Sequence, residues 1–228
     1  MRLGIGAVVA AVVAATLSAC TSGDSGSAGS LEVRPLIMPA QHATHARANP
    51  FGSLHVPSSE AAYSRMSRTQ RADLAKALHG VNCAQPPTLT GTAARVVCDH
   101  ESDVYLVGAP IVTADDVKKA TPAPPSLENS SQWNVELLLD SDGADKMYRW
   151  TSRHHVADPI GAFNTLQTSS RPPCGAFLRT ACSDFLVYVS DDVAVTVPVT
   201  FDAVQSAVRV SGDFDEQSAT RFAHKIAG

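Results

Sequence analysis

Few residues in this 228-residue chain have types and spacing that suggest chemistry. The densest group is "DSDGAD", which places Asp140, Asp142 and Asp145 shortly before His154 and His155. Alternating carboxylates resemble half of a calcium loop, but the later ligands and the bidentate Glu such a loop needs do not follow. Helix capping by Asp140 and Ser141, with acids favoured in the first turn, is the simpler reading. His154 and His155 are adjacent, so on a helix they diverge by about 100° and share a metal poorly. His42 and His45 have i, i+3 spacing, but in a polar stretch broken by prolines, where solvated histidines are expected. "GDSGS" at 23–27 is similar to the nucleophile motif of trypsin-like proteases, yet it lies in a Gly/Ser linker, and composition accounts for it. No G-x-S-x-G, H-E-x-x-H or phosphate loop occurs. These residues predict no catalytic centre, no metal and no cofactor. The alternatives are a metal-dependent hydrolase built on the acids and histidines, or a small-molecule or lipid cavity lined by Trp133, Tyr148, Trp150 and Phe163.

The cysteines carry the stronger signal. "MRLGIGAVVAAVVAATLSAC" has one charge, Arg2, and then an apolar run too short to remain an ordinary membrane span. Its end, Leu17-Ser18-Ala19-Cys20, resembles the lipobox of bacterial lipoproteins. That resemblance implies a signal peptide over residues 1–19, cleavage before Cys20 and lipid on its sulfur. An ordinary small-residue cleavage site with an incidental Cys is the competing reading. Two acyl chains anchor stably where one is marginal. Residues 20–30, "CTSGDSGSAGS", then form a flexible tether with a root-mean-square reach of roughly 17 Å. The expected location is the outer face of the cell membrane, in the cell envelope.

An exported chain with four further cysteines suggests two disulfides. Three pairings are open; the sequence-local one is favoured, Cys83 with Cys98 and Cys174 with Cys182. A zinc site would want C-x-x-C spacing, which is absent. The formal net charge of −4 gives no reason to expect nucleic acid or anionic lipid as a partner.

These residues must be positioned by a set of short elements. Residues 31–80 read as an arm: a strand in "LEVRPLIM", an irregular segment over 39–60, and a helix from Thr69 to His79. Thr69 would cap that helix, Ala72, Leu74 and Leu78 would face inward, and Gly80 would end it in a left-handed turn. Residues 81–228 read as the main domain. "ARVVC" and "VYLVG" are strands, and "TADDVKKA" is one or two helical turns opened by Thr113. "WNVELLLD" alternates, with Trp133, Val135, Leu137 and Leu139 on one face. The helix after it turns Ala144, Met147, Tyr148 and Thr151 inward. "DFLVYVS" and "VAVTVPV" form a hairpin across Asp191-Asp192, and Pro198 puts the second strand at an edge or ends it there. "SAVRVSG" is the last strand. The final helix turns Ala219, Phe222, Ala223 and Ile226 inward, with His224 and Lys225 in its last turn. This order predicts an α+β fold, an antiparallel sheet with helices packed on one face.

Several stretches in this order resemble the periplasmic head subdomain of SecD, a subunit of the bacterial protein-export translocase. They are "LEVRP", "CDHESDVYLVGAPIVTADDVKKA", "WNVELLLDSDGADKMYRWT", "DFLVYVSDDVAVTVPV" and "VRVSGDFDEQSATRFAHKIAG". The sequence departs from that family at Asp192, where the hairpin glycine is expected, at Thr196-Val197-Pro198, and at Ser206. The resemblance implies a non-catalytic interaction module for exported polypeptide or for a translocase or other membrane partner. It also implies that the family's membrane-embedded proton-coupled part is missing from this chain.

Overall fold

β-Branched and aromatic runs bounded by Gly, Pro and Asp favour strands over helices in this chain, and ten strands form among the described residues. In a computed structural model, the described residues are 30–44, 46–47, 49–125, 132–156, 174, 181–198, 200 and 203–227. Cys20, the signal segment over 1–19, most of the tether, His45 and Phe163 lie outside them.

The strands are β1 (Leu31–Pro35), β2 (Gln41–His42), β3 (Arg95–Cys98), β4 (Asp103–Val107), β5 (Val112–Thr113), β6 (Val117–Ala123), β7 (Trp133–Leu139), β8 (Leu186–Ser190), β9 (Val193–Thr196) and β10 (Ala207–Phe214). The helices are α1 (Glu60–Ser64), α2 (Arg68–His79), α3 (Ser141–Thr151) and α4 (Glu216–Ala227). The fold is α+β with mainly antiparallel pairing, divided between two sheets. Seven strands run in the order β2-β4-β3-β9-β8-β1-β5, and three in the order β10-β7-β6. Among the described residues the one parallel pairing is β3 with β9, Cys98 opposite Val193.

Residues 31–80 share this framework with the rest of the chain. β1 lies between β8 and β5, with Leu31 opposite Ser190 and Pro35 opposite Leu186. The segment over 39–60 is less irregular than expected, since it holds β2 and the buried Phe51. α2 begins one residue earlier than predicted. Its cap is Ser67, whose hydroxyl accepts from the Gln70 amide at 3.2 Å while the Gln70 side chain accepts from the Ser67 amide at 2.8 Å. Leu74, Ala77 and Leu78 are its buried face, and Ala72 is exposed. Gly80 has φ −89°, so the left-handed ending does not form. Its small size answers a close approach instead, because a Cβ there would lie 2.8 Å from Arg47 Cδ.

The largest departure is "TADDVKKA". Only Ala114–Asp116 is helical, a 3₁₀ turn, and Val117–Ala123 is β6. Pairing with β7 decides this: Ala120 lies opposite Leu137 and Pro122 opposite Val135. β6 is an edge strand, where the missing N–H of Pro122 is tolerated. Pro198 likewise follows the end of β9 at Thr196, although β9 is an interior strand. The β8–β9 turn places Asp191 and Asp192 at φ 49° and 69°. Two left-handed residues in a two-residue loop match the twist of a hairpin, and Asp tolerates that region.

Three apolar clusters hold the layers. Leu31, Val33, Leu186 and Tyr188 pack with Val135, Leu137, Met147 and the α4 residues Ala219, Ala223 and Ile226, joining the two sheets. Phe222 packs against this cluster, partly buried. On one side of β3 and β4, Val96, Cys98, Val104 and Leu106 meet Leu74, Ala77 and Leu78 of α2. On the other, Val97, Tyr105 and Val107 meet Phe185, Val187 and Val189. The alternation along β4 and β8 therefore buries both faces, which is why their five residues are all buried.

Candidate functional site

Polar groups gather at the two ends of the long sheet, and they do so differently. At the Ser190 end, β1 supplies Glu32, β3 supplies Arg95 and the hairpin turn supplies Asp191 and Asp192, while Arg34, opposite Val187 further along β1, reaches back to Glu32. Arg34 Nε donates to Glu32 at 2.7 Å and its Nη1 to the Gly108 carbonyl at 2.6 Å. Arg95 donates to Glu32 at 3.0 Å and pairs with Asp192. Lys225 of α4 pairs with Asp191, whose amide donates to the Ser30 hydroxyl at 3.2 Å. Burial alone would raise the Glu32 pKa, but the Arg34 and Arg95 charges and hydrogen bonds outweigh it and hold the carboxyl below its usual range.

At the Leu186 end, a 3₁₀ turn over Cys182–Asp184 leads into β8. Ser183 and Asp184 are both buried there. The Asp184 carboxylate accepts from the Ala181 amide at 3.0 Å, and its backbone carbonyl accepts from the Thr200 amide at 2.7 Å. Thr200 in turn accepts from Val156, which brings in the segment after α3. The Ser183 hydroxyl donates to Glu60 of α1 at 2.8 Å, across 123 residues of sequence. Desolvation pushes the Asp184 carboxyl above its usual pKa; the Ala181 hydrogen bond and the nearby His154 and His155 oppose this, and Glu60 adds to it.

The residues singled out from sequence mostly do other work. Asp140 caps α3, its Oδ1 accepting from the Gly143 amide at 2.7 Å. Gly143 is required because a Cβ would sit 2.7 Å from the Cβ of Asp116. Asp142 pairs with Lys146 at 2.7 Å, and Lys146 also reaches Asp116 at 2.7 Å; Asp145 is exposed. His154 stacks on Trp150 with ring centroids 4.2 Å apart. His42 Nδ1 lies 2.9 Å from Asp103 Oδ1. Among the described residues, no group of three or more His, Cys, Asp or Glu side chains is placed to hold a metal. Trp133 and Trp150 pack against the core, whereas Tyr148, expected to face inward, is 46% exposed. Cys83 is bonded to Cys98 with Cα atoms 5.7 Å apart, tying the segment after α2 to β3. Cys174 is bonded to Cys182, Cα to Cα 4.8 Å, at the start of the junction turn. Sequence reading missed Glu60, Ser183 and Asp184 as partners, because nothing local marks residues so far apart in the chain.

No curated protein matches the sequence. Solved structures similar to it include two of SecDF. One is SecDF described as a membrane component that enhances protein export, with 16% identity, TM-score 0.44, and coverage of 87% of this chain and 62% of that one. The other is SecDF in a super-membrane-facing form, with the same identity, TM-score and share of this chain, and 18% of that chain. This chain thus spans less than two thirds of either. A family model, "SecDF, P1 head subdomain", matches residues 92–228, more than half of the sequence. The chain belongs to the SecDF P1 head subdomain family.

Proposed function

We propose that this protein is a non-catalytic interaction module of the cell envelope, held at the membrane by lipid on Cys20, that binds exported polypeptide or a component of the export translocase. The observation that carries the reading is the family match over residues 92–228. The lipobox-like Leu17-Ser18-Ala19-Cys20 supports the anchor. Among the described residues no helix is long and apolar enough to cross a membrane. The role proposed for the domain is to hold or deliver a chain. Residues 31–80, with the Cys83–Cys98 bond behind them, brace the domain from its N-terminal side.

The test is crosslinking in cells with the full chain and with Cys20→Ala. The expected result is recovery of secreted polypeptides or translocase subunits with the native chain, and a strong reduction when the anchor is removed. Labelled fatty acid incorporated into the native chain and not into C20A would support the lipid. Capture of neither class of partner would reject the binding role. Unlabelled, freely released protein would reject the anchor separately.

A further inference from the structure

The formal net charge of −4 hides an uneven distribution. Residues 31–80 carry six Lys or Arg against three Asp or Glu, whereas residues 81–228 carry eleven against eighteen. Charge asymmetry of this kind points to a charged partner. The basic excess gathers on α1 and α2, where Arg65, Arg68, Arg71 and Lys76 are all exposed. Among the described residues none of these four pairs with a carboxylate, while Arg34, Arg95, Lys146, Arg209 and Lys225 each do. Asp73 stands about 160° around α2 from Arg71, and Glu60 accepts from Ser183. The helix itself gives no reason for the placement. α2 has no acid in its first turn, and Arg65, Arg68 and Arg71 crowd the end where its dipole disfavours positive charge. Arg68 and Arg71, three residues apart, share one flank, with Arg71 over the Tyr63 ring. The opposite face, Leu74, Ala77 and Leu78, is set in the core against β3 and β4, and the Cys83–Cys98 bond fastens the chain just beyond. The cations are therefore presented from a fixed framework.

We propose that this basic face of α1 and α2 docks on the anionic phospholipid headgroups of the membrane that holds the chain. The inference rests on the membrane location proposed above. Charge complementarity selects the occupant, and so does the chain outside the described residues. Ser30 is the first described residue, ten positions after Cys20. A coil of that length reaches roughly 17 Å, so an anchor at Cys20 leaves the domain within reach of the headgroups. The large exposed hydrophobics among the described residues, Leu138 and Tyr148, lie on other elements, so the face suits a charged headgroup layer and not insertion into hydrocarbon. Attractions of several Lys and Arg to such a layer add together and are screened by salt. The same layer repels the acidic remainder of the chain. The two effects orient the domain, with α2 toward the bilayer and residues 81–228 away from it.

Native lysines test this on the full chain, mixed with vesicles of phosphatidylcholine alone or with roughly a third phosphatidylglycerol. Acetylation by a water-soluble reagent, followed by mass spectrometry, should slow at Lys76 by at least about threefold on the anionic vesicles. Lys118 and Lys119, exposed on β6, are the internal controls and should keep their rates. About 1 M salt should restore the Lys76 rate. Arg65→Gln with Arg68→Gln and Arg71→Gln should restore it too, with the urea midpoint unchanged because all three side chains are exposed. The proposal is overturned if Lys76 reacts equally on both vesicles, if Lys118 and Lys119 slow as much, or if the triple variant keeps the protection. Protection by soluble polyglutamate but not by anionic vesicles would also overturn it, assigning the face to an acidic polypeptide. The Lys76 rate is read whether or not Cys20 carries lipid, so failure of the docking face and failure of the anchor are separate results.

Discussion

The two ends of the seven-stranded sheet use the same residue types to opposite effect. At the Ser190 end, every carboxylate discussed above meets a cation, and Glu32 sits below its usual pKa despite partial burial. At the Leu186 end, Asp184 is buried with one backbone donor on its carboxylate and another carboxylate nearby, and its pKa is raised. Burial is common to both, so partners decide the sign. The first end is a network of ion pairs, and the second holds a buried carboxylate with one backbone donor.

The comparison can be broken or sharpened by experiment, beginning with the largest expected effect. Phe185 is 1% exposed and anchors the Leu186 end; Phe185→Ala should cost about 3–5 kcal/mol in urea unfolding. A cost below about 1 kcal/mol would mean that this end is held by its polar contacts instead. Arg34 is 8% exposed and bonds to both Glu32 and the Gly108 carbonyl. Arg34→Leu should cost roughly 1–3 kcal/mol, because the Gly108 carbonyl loses this donor and Glu32 is left with Arg95. No loss would show the network to be decorative.

The pH dependence of stability should carry opposite signs for the two ends. Glu32, with a lowered folded pKa, contributes stability that is present above its unfolded pKa and lost as pH falls through its folded value. Asp184, with a raised folded pKa, contributes stability that is fully present below its unfolded pKa and lost as pH rises through its folded value. Urea titrations across pH 3–8 should therefore show Glu32→Gln flattening the acid loss and Asp184→Asn reducing the decline on the other side. Both variants shifting the curve in one direction would refute the contrast. The smallest effect is expected for Asp192→Gly. It relaxes a φ of 69° and gives up an exposed ion pair with Arg95, and the two should cancel to within roughly 1 kcal/mol.

Much of the fold was legible because the signals were local. The alternation of β7, the two runs flanking Asp191-Asp192, and the stripe of α4 are short-range periodicities that burial enforces wherever the segment packs. The Asp140 cap was legible for the same reason, since its partner is three residues away. The α2 cap was displaced from Thr69 to Ser67 because the capping box needs a Gln three residues on, and only Ser67 has one. Lys118-Lys119-Ala120 gave no strand signal. Those residues are extended because β7 offers an unpaired edge, which a local window cannot register. Tyr148 satisfies the helical spacing but falls on the solvent side, because α3 turns Gly143, Met147 and Thr151 toward the core.

The sequence by itself determined the strand-rich composition, the caps, the hairpin and the lipobox-like N-terminus, because each depends on residues within a few positions of one another. Only the tertiary structure decided that the strands divide into two sheets and that residues 31–80 close the larger one. Only it brought Glu60, His154, Ser183 and Asp184 to one end. The physical reason is separation. A hydrogen bond across 123 residues, or a carboxylate desolvated by burial, exists only once the core has closed around it.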